Sequence, residues 1–232
     1  ETSGIPAEAI STLEANDTVK DISTVRLSVF TPGAGDELPF ETDLSVQSHE
    51  TFQLVNIDDG LLEIYAPNLS DQDKQALNNG TGCLVKNPIP FSYGDTPVEH
   101  TELSIGDTIQ LGSRALRVIG IIDTPITINN EGFTNGVQLI VNEEIYCSLM
   151  QDDTYSEIYL TLQDGVDTNS FESILDDWCS KYPGAHWLSY LESSNEMAES
   201  FEQIKMLCWV LIIFIGIIGI LNIINTVYSN IH

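Results

Sequence analysis

Basic residues are scarce in this chain. Among its 232 residues, eight Lys and Arg stand against 35 Asp and Glu, which gives a formal net charge of −27. A surface of that sign repels the phosphates of a nucleic acid, so no nucleic-acid partner is expected. Hydrophobic residues still make up 42% of the sequence, which excludes an intrinsically disordered chain. An acidic body folded around a hydrophobic core is therefore expected.

Cysteine is also scarce, with four residues at positions 83, 147, 179 and 208. Their spacing matches no zinc-ligand pattern. Cys83, Cys147 and Cys179 either serve as small buried hydrophobic side chains, or two of them form a single disulfide. The sequence leaves both alternatives open.

Familiar catalytic and metal-binding motifs are missing. There is no Gly-x-x-x-x-Gly-Lys-Ser/Thr phosphate loop, no Gly-x-Ser-x-Gly and no His-Glu-x-x-His. The histidines lack partners at ligand spacing, and the acidic pairs lack the alternating oxygens and central glycine of a calcium loop. We therefore expect no catalytic, cofactor-binding or metal-binding residue, and we do not expect an enzyme.

Charged residues of either sign are absent between Lys205 and His232. The run Leu207–Val227 consists largely of Leu, Ile, Val and other apolar side chains. About 20 apolar residues in a helix cross the roughly 30 Å hydrocarbon core of a bilayer, so a transmembrane helix is predicted over 207–228. A buried soluble helix is the alternative, although soluble helices of this length usually carry a polar face.

Four residues of this predicted helix are candidates for helix packing in the membrane. Gly216 and Gly219 allow a close approach by a neighbouring helix, and Asn222 and Asn225 lie three apart on one face. Amides are costly in lipid, so the asparagines are expected either to contact other helices or to reach the interface.

Only Lys205 supplies positive charge next to the apolar run. Because the cytoplasmic flanks of membrane helices are enriched in Lys and Arg, residues 1–205 are expected on the extracytoplasmic side of the cell membrane. The sequence starts at Glu1 rather than Met, and we expect a fragment or a processed piece of a longer protein.

Hydrophobic periodicity before the apolar run predicts an α+β fold. Helices are predicted over 5–16, 71–78, 143–150 and 167–182. Strands are predicted over 19–30, 51–57, 105–111, 116–123, 136–142, 156–163 and 185–188. The Gly- and Pro-rich segment 31–40 is predicted to be the tip of a hairpin.

The order of these elements divides the body into three segments. Residues 1–57 and 154–192 each combine a helix with a strand, and they are interpreted as the two halves of a split βαβ lobe. Residues 58–153 contain short elements broken by Gly, Pro and Asn, and they are interpreted as a β-rich inserted lobe.

A stalk helix is predicted over 193–206, with Met197, Phe201 and Ile204 as an apolar stripe. No turn signal separates it from 207–228. The two segments are therefore expected to form one continuous helix that projects from the membrane.

Two stretches resemble a known family. Gly106-Asp-Thr-Ile-Gln-Leu-Gly, followed by Arg117-Val-Ile-Gly-Ile-Ile-Asp, is similar to a stretch in the extracytoplasmic core domains of MacB/FtsX-like ABC transporter permeases. The run from Phe201 through Ile217-Ile-Gly-Ile-Leu-Asn-Ile-Ile-Asn resembles the second transmembrane helix of those permeases.

The resemblance implies a porter-like split lobe, a sabre-like insert, a stalk and a membrane helix. It implies that a cytoplasmic ABC ATPase subunit binds and hydrolyses ATP, and that the stalk transmits the resulting motion to the extracytoplasmic domain. A second permease copy or repeat and membrane lipid are the other implied partners. This chain itself would perform no chemistry.

Two alternatives remain from the sequence. The chain could instead be a membrane-anchored extracellular ligand-binding or sensor domain without an ATPase, or a surface enzyme. The acidity has two explanations as well: it could simply keep the domain soluble, or its field could attract a cationic peptide or amphiphile.

Overall fold

The computed structural model describes residues 4–126 and 135–189, together with five helical residues further on, Lys205, Met206, Cys208, Trp209 and Ile212. The chain divides into two units, Glu1–Ala185 and His186–His232. Within the described residues, no helix is both long enough and apolar enough to cross a bilayer. All other elements named below belong to the first unit.

Nine strands occupy the described residues. They are β1 Val19–Phe30, β2 Thr51–Ile57, β3 Gly82–Lys86, β4 Ser92–Tyr93, β5 Thr96–Pro97, β6 Thr108–Leu111, β7 Arg114–Ile121, β8 Gly136–Ile140 and β9 Glu157–Leu162. The α-helices are α1 Ile10–Glu14, α2 Asp59–Tyr65, α3 Asp71–Asn78, α4 Glu143–Met150 and α5 Thr168–Cys179. Short 3-10 turns lie at Ala7–Ala9 and Pro32–Ala34.

Seven strands form one mixed sheet in the order β6-β7-β3-β8-β2-β1-β9. The pairs β2–β8 and β3–β7 are parallel, and the other neighbours are antiparallel. The twelve-residue β1 pairs with β9 along its first half and with β2 along its second half. One long strand thus joins β9 to the rest of the sheet.

Hydrophobic layers cover both faces of the sheet because successive strand residues point to opposite sides. On one face, Phe52 and Leu54 of β2 pack with α4 and with apolar residues of the loop 31–50. On the other face, Val55 packs with α2 and α3. A third cluster joins Leu13 of α1 to Trp178 of α5 beside β1 and β9.

Short polar side chains cap the N-termini of four helices. Ser70, Asn142 and Asp167 accept hydrogen bonds from backbone N–H groups at the starts of α3, α4 and α5. Asp58 caps α2 in the same way. Helix α2 was not predicted from the sequence, because Gly60 and the short length of the helix obscure its hydrophobic period.

The strand predicted at 185–188 is wrong, because this segment forms no ladder with any described strand. A few alternating residues need a neighbouring strand to stabilise them. The predicted bounds of β1 and β2 are confirmed, and antiparallel pairing of these strands makes 31–50 their connection.

The α+β class is confirmed, whereas the division into porter-like and sabre-like lobes stays a prediction. The single sheet takes strands from all three predicted segments: β1 and β2, then β3, β6, β7 and β8, and finally β9. Among the described residues of 58–153, only β4 and β5 form a separate sheet.

Gly136 begins β8 directly opposite Thr51 of the parallel strand β2. A Cβ atom at Gly136 would lie 2.2 Å from the carbonyl oxygen of Thr51, which is main chain held in the ladder. We expect Gly136→Ala to lower the free energy of unfolding by about 2 kcal/mol or more, measured by urea denaturation.

Gly165→Ala is the control for this substitution. Gly165 has φ of +80°, and nothing lies within 4 Å of the position of its Cβ. Alanine there meets only the left-handed backbone penalty, about 1 kcal/mol. Equal losses for the two variants would contradict the steric account.

Candidate functional site

The site residues predicted from the sequence lie outside the described part of the chain, and their roles stay predictions. The stalk residues are Met197, Phe201 and Ile204, and the membrane packing residues are Gly216, Gly219, Asn222 and Asn225. The predicted membrane helix over 207–228 is described only at Cys208, Trp209 and Ile212.

A short hairpin in the described domain carries exposed hydrophobic side chains. Strands β4 and β5 pair around Gly94, whose φ is +59°. Tyr93 is 78% exposed, and Ile89 and Phe91 are also exposed. The rings of Phe91 and Tyr93 meet edge to face, with 5.9 Å between centroids. Residues 88–99 are called the aromatic hairpin below.

Two asparagines fasten the base of the aromatic hairpin. Ile89 N–H donates to Asn135 Oδ1 at 2.8 Å, and Asn135 Nδ2 donates to the carbonyl of Ile89 at 3.1 Å. Asn87 makes a matching pair of hydrogen bonds with Leu103. Its Nδ2 donates to the carbonyl of Leu103, and its Oδ1 accepts from the N–H of Leu103. The chain therefore leaves the sheet at Asn87 and is held again at Leu103.

An open cleft of about 370 Å³ lies in the same region. The charged side chains that line it are Asp43 and Glu102, with His100 beside them, and Leu44 and Ile109 are among its apolar lining residues. Asp43 is positioned by a hydrogen bond from the N–H of Gln110 to its Oδ1, at 2.8 Å. This feature is called the acidic cleft below.

A buried carboxylate connects the aromatic hairpin to the acidic cleft. Glu50 is 1% exposed, and both of its carboxylate oxygens accept from the N–H of Thr101 at 3.1 Å. His49 Nε2 lies 3.9 Å from Glu50 Oε1, and the His49 ring meets the ring of Phe91 at 5.7 Å. Thr101 also lines the cleft, and the chain runs directly from the aromatic hairpin into this lining segment.

The two segments that form the aromatic hairpin and the acidic cleft are acidic. Neither 31–50 nor 88–110 contains Lys or Arg, whereas Asp43, Asp95, Glu99 and Glu102 are exposed. Lys86, which precedes the hairpin, is buried at the end of β3, and desolvation lowers its pKa. Acidic side chains therefore dominate both segments, and the exposed Arg117 lies opposite Thr108 of the cleft in the β6–β7 ladder.

A buried arginine organises the opposite end of β2. Arg26 donates from Nη1 to Asn56 Oδ1 at 2.8 Å and from Nη2 to Glu143 Oε1 at 2.8 Å. It also donates to the carbonyl of Asp153, and its guanidinium lies 4.0 Å from the centroid of the Tyr155 ring. The hydrogen-bonded group around Arg26 was not predicted from the sequence, although an arginine inside a predicted strand is a signal for a buried charge.

The thiols and the acidic residues form no assembled metal centre in the described ranges. No group of three or more His, Cys, Asp and Glu side chains there is placed to hold a metal ion. The cysteines are free thiols in the structure, and Cys147 and Cys179 are half-buried. Cys83 is buried, and desolvation raises the pKa of its thiol to about 12.

The role of Glu50 as an acceptor can be measured. Glu50→Ala leaves the buried N–H of Thr101 without its carboxylate acceptor, and we expect a loss of about 2 kcal/mol in the free energy of unfolding. Glu50→Gln keeps an oxygen that can accept, so its loss should be less than half as large. Urea denaturation of both variants tests this.

Glu102→Ala is the control, because the side chain of Glu102 is 73% exposed and its truncation should change stability little. Equal losses in Glu50→Ala and Glu50→Gln would show that the charge, rather than the hydrogen bond to Thr101, stabilises this segment.

No family model matches the chain, and no curated protein matches its sequence. Among solved structures, the chain is similar to the periplasmic region of MacB from Actinobacillus actinomycetemcomitans, with 11% identity, a TM-score of 0.46, and coverage of 78% of this chain and 75% of that chain. For the extracellular domain of the noncanonical ABC-type transporter YknZ from Gram-positive bacteria, the identity is 12%, the TM-score 0.43, and the coverage 78% and 84%.

A domain described as part of a permease from Porphyromonas gingivalis is similar at 12% identity, with a TM-score of 0.42 and coverage of 79% and 80%.

Proposed function

We propose that this chain is the extracytoplasmic domain and following membrane helix of a MacB/FtsX-like ABC transporter permease. The observation that carries the proposal is the order of an acidic α+β domain followed by a run without charge from Met206 to Ile231. The resembling stretch Gly106–Asp123 supports it, because it forms β6 and β7 as an antiparallel pair that turns at Gly112 with φ of +56°.

In this proposal, ATP is bound and hydrolysed by a cytoplasmic ABC ATPase subunit. The membrane helix over 207–228 moves within the lipid beside a second permease copy or repeat, and the stalk over 193–206 transmits the motion outward. The described domain suits the receiving end, because its tightly packed sheet moves more readily as a body than by deformation.

A membrane-anchored ligand-binding or sensor domain is the second candidate. The exposed aromatic rings of the hairpin favour it, because exposed apolar and aromatic side chains are typical of recognition surfaces. Purification of the full-length membrane protein discriminates the two: a bound ABC ATPase supports the permease, and its consistent absence supports the sensor.

The extracytoplasmic location predicts the labelling of an introduced thiol. Asp177→Cys places a cysteine on the exposed end of α5, in a background where Cys147, Cys179 and Cys208 are replaced by alanine. Cys83 can remain, because its raised pKa keeps the thiol protonated and unreactive at neutral pH. We expect a membrane-impermeant maleimide to label this variant in intact cells, or in spheroplasts where an outer membrane is present.

The parent that retains only Cys83 is the control, and it should stay unlabelled until the protein is denatured. Labelling of Asp177→Cys only after lysis would place the domain on the cytoplasmic side and contradict the proposal.

Coupling through the stalk predicts the effect of a flexible insertion. A Gly-Ser segment inserted after Glu199 should interrupt a continuous helix and abolish transport or signalling by the intact system, while ATP hydrolysis by the partner continues. The same segment inserted at Gly165, an exposed turn between β9 and α5, is the control and should be tolerated. Unchanged transport after the stalk insertion would exclude the stalk as the transmitter.

A further inference from the structure

We propose that Asn135 is a site of spontaneous deamidation, and that loss of its amide nitrogen irreversibly releases the base of the aromatic hairpin. The modification consumes only water and involves neither an ATPase nor a membrane. It therefore goes beyond the proposed function, and it can be tested on the full chain alone.

Three amide side chains among the described residues hold distant backbone by the same pair of hydrogen bonds. In each case the amide oxygen accepts from the N–H of one residue, and the amide nitrogen donates to the carbonyl of that residue. The three pairs, called amide clamps below, are Asn87 with Leu103, Asn135 with Ile89, and Gln138 with Ile126.

The residue that follows each amide decides whether its clamp can be modified. Deamidation begins when the next backbone nitrogen attacks the amide carbon and closes a five-membered succinimide ring. Pro88 follows Asn87, and a proline nitrogen carries no proton to lose. Gln138 is buried, and its extra methylene would require a slower six-membered ring closure. Gly136 follows Asn135, and glycine hinders the attack least, so this clamp is the labile one.

The fold requires both members of this reactive dipeptide. A Cβ atom at Gly136 would collide with the carbonyl oxygen of Thr51, so a larger residue is excluded from this position. The amide of Asn135 is needed because the carbonyl of Ile89 requires a donor, which a carboxylate does not supply. The clamp and the close strand contact thus place asparagine directly before glycine.

The reaction exchanges ammonia for water. The backbone nitrogen of Gly136 loses its proton to hydroxide and bonds to Cγ of Asn135, and the bond from Cγ to Nδ2 breaks. The leaving nitrogen takes a proton from water, which restores the hydroxide, and departs as ammonia. Water then adds to either carbonyl of the succinimide, and the ring opens to aspartate or isoaspartate. No oxidant or reductant takes part.

The closed clamp restrains this reaction in the folded domain. The amide of Asn135 is directed at Ile89 by two hydrogen bonds, and its own carbonyl accepts from the N–H of Thr51 at 3.2 Å. Ring closure requires the amide to leave Ile89 and turn towards the nitrogen of Gly136. Deamidation therefore proceeds from the open clamp, and its rate follows the fraction of time that the clamp is open.

The products cannot restore the clamp. Aspartate at position 135 still accepts from the N–H of Ile89, but it brings a negative charge against the carbonyl of Ile89 and offers it no proton. Isoaspartate also lengthens the main chain by one methylene, which displaces Gly136 from its register opposite Thr51. The release of the hairpin base is therefore permanent.

The first experiment incubates the full chain, purified in detergent, at mildly alkaline pH and measures the acid formed at each asparagine by peptide mass spectrometry. A synthetic peptide of residues 131–141 is the unfolded reference. We expect Asn135 to deamidate at least about tenfold more slowly in the chain than in the peptide, because the clamp is closed most of the time. Asn87 should remain an amide.

Matched variants test the control by the clamp. Ile89→Pro removes the N–H that the amide of Asn135 accepts, so deamidation of Asn135 should become about fivefold faster. Ile89→Ala keeps this N–H and should leave the rate unchanged. Asn79, which also precedes a glycine but belongs to none of the three clamps, should deamidate equally fast in all of these proteins. The urea midpoint checks the fold of each variant.

Hydrogen exchange of the aromatic hairpin tests the release. Asn135→Asp, which carries the modified side chain from the start, should exchange the amides of 88–99 at least about threefold faster than the parent. Asn135→Ala, which removes both hydrogen bonds to Ile89, sets the limit of full release. Asn79→Asp makes the same change of charge elsewhere and should leave the hairpin unchanged.

Three results would overturn the inference. They are equal deamidation of Asn135 in the folded chain and in the peptide, an unchanged rate in Ile89→Pro, and equal hairpin exchange in Asn135→Asp and the parent. If Ile89→Pro does not fold, the exchange of Asn135→Asp decides the inference by itself. None of these results bears on the proposed permease, which depends on the presence of a bound ATPase.

Discussion

The burial of the Arg26 guanidinium is the constraint on which much of the domain depends. A buried charge is costly unless it is paired and hydrogen-bonded. Arg26 meets this requirement through Asn56, Glu143 and the carbonyl of Asp153. These partners lie on β2, on α4 and just before β9, so the charge is satisfied only when four separate elements, including its own strand β1, are in place together.

Local pattern predicted a large part of the fold. The bounds of β1 and β2 follow from their β-branched, alternating residues. The order of strands could not be predicted in this way. β8 lies between β3 and β2, and such an order depends on contacts between residues far apart in sequence.

The candidate surface was also beyond the reach of sequence periodicity. Pro88, Pro90 and Pro97 indicate a loop, but the residues that position this loop lie elsewhere in the chain. Asn135 and Glu50 are distant in sequence from the residues that they hold, Ile89 and Thr101. The stalk and membrane residues were predicted from hydropathy, charge and residue spacing, which require no tertiary contact, and their roles stay predictions.

The attachment of the aromatic hairpin has a consequence for how this domain could diversify. The excursion begins at Asn87, ends at Leu103, and is closed by hydrogen bonds between those two residues. The intervening residues contribute little to the layers that bury the main sheet. The hairpin is therefore an exchangeable part: changes in its length or side chains could alter what the domain recognises, while the scaffold that carries it stays folded.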